Sequence, residues 1–211
     1  MTYGEMKSKI LQLMNQYTVA GSEVALSYNN QSDYVLRIPG LINDAMAKIT
    51  TGVRPLRKTV ALADLEHEPK GDYTLYTLPE DCWQLTGAGL IHYTRDCIQR
   101  FHKYHHIGEK QIAVPNYIRP EVMVEYFRYF TPLPTSPADN FQLDGPYEAQ
   151  VAATYYAAAY LLQYDDPYGY QTCYNEFEDR LASIAERPQI EMTVVEDIYS
   201  PDIDAGWRWG Y

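Results

Sequence analysis

The residues with the richest chemistry in this 211-residue sequence are three histidines, His102, His105 and His106. Imidazoles spaced this closely can ligate a metal or relay protons. The run Cys97–His106 that holds them reads as a β-strand. In a strand, His105 and His106 point to opposite faces, while His102 and His106 share a face but lie about 13 Å apart along it. Neither pair can chelate one ion without a bend or a ligand from elsewhere, because tetrahedral zinc needs donors about 2 Å from a single centre. The spacing therefore fits a surface or interface strand. An ion held between protomers is the one metal arrangement it leaves open.

Other chemistry is sparse. Cys82, Cys97 and Cys173 are odd in number and not closely spaced. They read as free thiols in a reducing compartment, with neither a disulfide framework nor a zinc site. No nucleophile elbow, phosphate-binding loop, dinucleotide glycine pattern or metalloprotease helix motif occurs. Asp165-Asp166 and Glu176-Phe177-Glu178-Asp179 are acidic runs. Glu176 and Asp179 can share a helix face, yet capping and solvation account for them. The expectation is no enzyme, no cofactor and no resident metal. A hydrolase built on His102 or His106 with a carboxylate would need those groups to meet in a cleft.

The last residues are more specific. Ile198, Tyr199, Ile203, Trp207, Trp209 and Tyr211 lie among and after the acids Glu196, Asp197, Asp202 and Asp204, with Arg208 between the two tryptophans. A purely solvating tail has no use for so many aromatic groups. Aromatic anchors along an extended segment are the pattern of a peptide that docks into a partner's groove. Pro201 and Gly206 oppose a helix there, so docking would be in extended form. The alternative is that Trp207 and Trp209 fold back onto their own core.

Composition bounds the rest. Hydrophobic residues make up 46% and charged residues 21%, which suits a folded chain and argues against wholesale disorder. No run approaches 18 consecutive apolar residues, so no membrane-spanning helix is expected, and Met1 to Gln16 lacks the apolar centre of a signal peptide. Tyrosine is abundant, 21 residues against 5 Phe and 3 Trp. Its rigid apolar face and water-tolerant hydroxyl suit surfaces buried against partners. Residues 1–131 carry 14 basic and 14 acidic side chains, whereas residues 132–211 carry 3 and 14. The whole net charge of −11 thus sits in the last 80 residues, which excludes a nucleic-acid binder with a general basic face.

The elements that must position these groups follow from periodicity. Thr2 and Glu5 form a capping box, and Met6, Ile10, Leu13, Met14 and Tyr17 line one face of a first helix that Gly21 would end. Tyr34, Ile38, Leu41, Ile42, Ala45 and Ile49 mark a second, with a kink or fresh start expected at Pro39. Period-two segments follow: Leu56–Leu62, Tyr73–Leu78, Ala88–Thr94, Cys97–His106, Gln111–Val114 and Val122–Phe130. They predict one antiparallel unit of five or six strands, with Pro69-Lys70-Gly71-Asp72 as a turn and Trp83 as a core plug. After the stiff connector Thr131–Pro137, two more helices are expected. One begins at Asp144-Gly145-Pro146 with Val151, Tyr155, Ala158 and Leu162 on its face, and one begins at Asp165-Asp166-Pro167 and ends at Pro188. The expected fold is α+β: a four-helix unit, an antiparallel β insertion between helices 2 and 3, and an extended C-terminal tail. Its parts are an N-terminal helix pair (1–55), the β insertion (56–130), a C-terminal helix pair packed on the first (131–188) and the docking tail (189–211).

Several segments resemble a known family. Gln12-Leu13-Met14-Asn15-Gln16-Tyr17, Ser27-Tyr28-Asn29-Asn30-Gln31-Ser32-Asp33-Tyr34 and Arg37-Ile38-Pro39-Gly40-Leu41-Ile42-Asn43-Asp44-Ala45 resemble head-to-tail adaptor, or connector, proteins of short-tailed and related tailed bacteriophages, as does Leu78-Pro79-Glu80-Asp81 after a strand. The resemblance implies a homo-oligomeric ring, usually of twelve copies, beneath the portal protein. Genomic DNA would pass through its lumen without specific binding, tail proteins would join the far side, and the C-terminal segment would reach into the portal. It implies a structural protein of the virion's head–tail junction, made in the bacterial host cytoplasm. The small and aromatic surface of Tyr155, Tyr156, Ala159 and Tyr160 is the expected contact between copies. The β insertion carries Arg57, Lys58, Arg95, Arg100, Lys103, Lys110 and Arg119 among compensating acids, and is expected to face tail components. A non-viral tyrosine-rich binding module is the alternative.

Overall fold

The computed structural model describes residues 1–14, 31–93, 98–118 and 121–186. Among the described residues, four helices pack into one unit: α1 (Tyr3–Leu13), α2 (Gln31–Gly52), α3 (Tyr147–Leu162) and α4 (Pro167–Glu186). The α1 start is the expected capping box. Thr2 Oγ1 accepts from the Glu5 backbone N–H at 3.2 Å, and the Glu5 carboxylate accepts from the Thr2 N–H at 2.9 Å. Met6 and Ile10 are then fully buried. Helix α4 opens on its expected cap, with Asp166 accepting from Gly169 N–H at 3.0 Å and Pro167 in the first helical position.

Pro39 neither ends nor restarts α2, which runs unbroken through it for 22 residues. A proline removes one backbone hydrogen bond. The flanking Ile38 and Ile42 are fully buried in the helical core and hold the helix together across that loss. Helix α3 lies at the centre of the unit, packed against α1, α2 and α4. Ala149, Ala152, Ala153, Ala157, Ala158 and Ala159 are all buried, so the neighbouring helices approach its backbone closely. A helix apolar nearly all round belongs in a core.

Between α2 and α3 the described residues form eight strands: β1 (Leu56–Ala61), β2 (His67–Lys70), β3 (Tyr73–Thr77), β4 (Cys82–Tyr93), β5 (Ile98–Phe101), β6 (His105–Ile107), β7 (Gln111–Pro115) and β8 (Met123–Arg128). They form two four-stranded antiparallel sheets, ordered β1-β8-β4-β5 and β2-β3-β7-β6. The sheets share a second core of Leu62, Leu85, Leu90, Ile112, Val124 and Tyr126, separate from the helical one.

Three sequence expectations change here. Pro69 and Lys70 belong to β2, an edge strand where a missing N–H is harmless, so the turn narrows to Gly71 and Asp72. The single run Cys97–His106 is two strands in different sheets, with residues 102–104 crossing between them. Trp83 is no core plug. It lies within β4, half-buried, stacked on Phe127 with ring centroids 5.6 Å apart.

The connector returns the chain to the helices. Leu133 is buried in the helical core, and Asn43 of α2 clamps its backbone, donating to the carbonyl at 3.0 Å and accepting from the N–H at 2.8 Å. Arg128 at the end of β8 makes two bonds to the Asp144 carboxylate, at 2.5 and 2.6 Å, just ahead of α3.

Candidate functional site

The break in the 97–106 run rearranges the histidines. His102 and His105, rather than His102 and His106, meet around one hollow of about 460 Å³, which Asp72, Lys103, Tyr73 and Tyr117 also line. His106 faces a different hollow beside Trp83. His105 lies 5.9 Å from the Tyr73 ring and His106 lies 5.6 Å from that of Tyr104. His105 and His106 are thus exposed on β6 beside aromatic rings, and His102 lies in the crossing that precedes it. Among the described residues, no three His, Cys, Asp or Glu side chains gather where they could hold one metal ion. Cys82 and Cys173 are buried free thiols, and burial pushes both up from the usual thiol range. Cys97 lies outside the described residues.

The acidic runs are engaged in structure. Asp165 accepts from the Tyr34 hydroxyl, Asp166 caps α4, Glu176 pairs with Arg180 at 2.6 Å and Glu178 lies 3.6 Å from Lys48. Several cations of the β unit are engaged too. Lys58 binds Asp81 at 2.9 Å, and Lys110 donates to the Cys82 carbonyl at 2.6 Å. Arg57, Arg100 and Lys103 each have a partner, so these charges do not amount to an open basic face. Arg95 and Arg119 lie outside the described residues.

Tyrosines dominate the α3–α4 surface. Tyr156 and Tyr160 pack ring to ring at 4.4 Å, and Tyr160 meets Tyr170 and Tyr174 edge-on. Burial, then the Tyr160 hydroxyl, pushes the Tyr156 phenol far up. Tyr155 sits under two cations, Arg180 at 4.6 Å and Lys9 at 5.4 Å. The rims of Tyr155, Tyr156 and Tyr160 remain partly exposed, whereas Ala159 is fully buried between helices. Tyr164 and Tyr168, at the α3–α4 turn, are more than four-fifths exposed and were not singled out by sequence reasoning. Their position beside the Asp165-Asp166-Pro167 break was the available signal, since turn residues project outward. The tail residues Ile198, Tyr199, Ile203, Trp207, Arg208, Trp209 and Tyr211 lie outside the described residues.

A second aromatic row also escaped the sequence reading. Trp83, Phe127 and Tyr129 line up across β4 and β8. Its signal was the period-two spacing of Phe127 and Tyr129, which puts both on one face.

Among the described residues, no helix is long and apolar enough to cross a membrane. The arrangement offers aromatic and engaged polar surfaces, the equipment of a protein that binds proteins. Comparison with known proteins agrees. The sequence matches the SU10 adaptor protein family over residues 1–197, a range that takes in both cores and the connector. A search of curated proteins returned no match. That family is one of structural phage adaptors and not of enzymes. With nearly its whole length matched, the chain belongs to the SU10 adaptor protein family and is a phage head-to-tail adaptor.

Proposed function

We propose that copies of this chain form a ring of twelve beneath the portal protein, join the capsid to the tail, and line part of the channel through which the genomic DNA passes. The observation that carries this reading is the family match over residues 1–197. The adaptor is placed at the head–tail junction of the virion after synthesis in the host cytoplasm. In this reading residues 1–55 and 131–188 form the ring-building helical unit, residues 56–130 face the tail components, and residues 189–211 reach the portal. Lateral contacts are heterologous, so that one face of a copy meets a different face of the next and the circle closes. They use the exposed rims of Tyr155, Tyr156 and Tyr160, with Ala159 setting the close helix spacing behind them. The Lys58–Asp81 pair in the β unit and a C-terminal third rich in acid suit a duplex that slides, because few phosphates would be held.

The portal anchor is the C-terminal segment, with Ile198, Tyr199, Ile203, Trp207, Arg208, Trp209 and Tyr211 as its contacts. Each aromatic anchor buried in a partner's groove would contribute about 2 kcal/mol or more. Once one tail of a ring has docked, the others bind intramolecularly. Truncation after Ser200 should leave a folded protein that no longer joins portal-bearing heads, scored by electron microscopy of completed particles. Normal completion by the truncated chain would show that the anchor lies elsewhere.

A further inference from the structure

Helices α1, α3 and α4 frame a hollow of about 330 Å³, lined by Lys9, Tyr147, Glu148, Val151, Arg180 and Ile184. Two cations converge at it. Lys9 lies 5.4 Å and Arg180 4.6 Å from the centre of the same ring, that of Tyr155. Burial and then the charge of Arg180 lower the Lys9 ammonium from its ordinary value. Among the described residues, no carboxylate lies within ion-pair distance of Lys9. Arg180 is only partly engaged. Glu176 takes its Nη2 at 2.6 Å, while its Nε is buried with no acceptor. Glu148 has a partner of its own. Like charges held together away from bulk water repel each other. A carboxylate set against both relieves that repulsion and accepts from N–H groups still unused.

The chain itself carries such a group close by. Ser183 and Ile184, on the wall of the hollow, lie within one turn of the end of α4 at Glu186. Pro188 disfavours a helical backbone at Arg187, so the chain has a turning point directly after α4. The first acid beyond the helix is Glu191, within a reach of about 17 Å from Glu186. The family match also continues past α4, to residue 197. We propose that residues 187–197 fold back over this hollow and that the Glu191 carboxylate binds Lys9 Nζ and the Arg180 guanidinium together. Its methylenes lie over Val151 and Ile184. Tyr147, 63% exposed at the rim, offers its ring to the neighbouring Ile190 or Met192. An acid of a second copy meets the same chemistry, but the tether makes the encounter of Glu191 intramolecular and so favours it. The contact ties the root of the C-terminal segment to α1 and α3 and leaves Ile198–Tyr211 beyond it. It goes beyond the adaptor reading and does not depend on whether those last residues bind the portal.

The test uses the full chain. Equal amounts of unlabelled and isotope-labelled protein carrying both Lys9→Cys and Glu191→Cys are mixed and mildly oxidised, and the linked peptides are mapped by mass spectrometry. Position 9 should be joined to position 191 in peptides of uniform label, which come from one chain. Peptides of mixed label would put the acid of a second copy in the hollow, and the lack of any 9–191 link would leave the segment elsewhere. Either result overturns the proposal. The second measurement is native cleavage after Glu196 by a glutamate-specific protease. Lys9→Met and Glu191→Gln should each speed it about tenfold, the effect of one lost charge-assisted hydrogen bond, and the two together should be no faster than either alone. Equal rates in wild type and both variants would overturn the contact. Truncation after Ser200 should leave both measurements unchanged, so failure of the portal anchor and failure of this contact are told apart.

Discussion

At the scale of single residues, the Arg128–Asp144 pair is the most consequential contact between the two units. The Arg128 guanidinium holds the Asp144 carboxyl down at about 2, against the opposing effect of burial and with help from the Thr131 N–H. A carboxyl depressed in the folded state stabilises the fold fully above its unfolded pKa, about 3.9, and the contribution fades as pH falls towards 2. Asp144→Asn should therefore cost about 1–3 kcal/mol at pH 7, measured by urea unfolding, with the gap to wild type closing as pH is lowered to about 2. Such pairings were invisible in the sequence, because the partners lie 16 residues apart across a connector whose path only the packing fixes. The histidines illustrate the same limit. Their spacing was plain, but which two share a hollow depended on the sheet crossing at residues 102–104.

At the scale of elements, α3 holds the helical unit together, and its alanines leave no room for growth. Ala158 has no exposed surface, and α3 packs against all three of the other described helices. Ala158→Leu should destabilise the chain by about 1–3 kcal/mol, read as a lower midpoint in chemical denaturation, since extra methylenes in a tight core force side chains off their rotamers. Helices were the legible part of the sequence. The Thr2 box, the Asp166 cap with Pro167 and the apolar faces of α1 and α2 lie where local chemistry puts them. Strands were legible as a class but not in number. His67–Lys70 looked like a turn because Pro69 and Gly71 are turn residues, and only its place at a sheet edge makes a strand with proline acceptable. The first half of β4 was hidden for a related reason, since Leu78-Pro79-Glu80-Asp81 announces a turn and masks the strand that starts straight after it.

At the scale of the whole molecule, charge is the quantity on which the proposed DNA channel can be tested. The chain carries −11, and Lys58, Lys110 and Arg128 of its β unit bind its own acids and carbonyls. The isolated assembly should bind free duplex weakly, with a nearly flat dependence on salt, measurable by filter binding across a KCl series. Tight binding with a steep salt slope would mean that the β unit grips phosphates directly.

The separation of the two cores sets an order of events during synthesis. The chain leaves the ribosome from its N-terminus, and domains close as their last parts emerge. The β core is complete once β8 has appeared, at Arg128. Helices α1 and α2 emerge first of all, yet α3, the helix both pack against, arrives almost a hundred residues after α2 ends. The earliest helices are thus the last to find shelter. For that interval Met6, Ile10, Ile38, Ile42 and Met46 lack the cover of α3, and the β unit that follows them closes first.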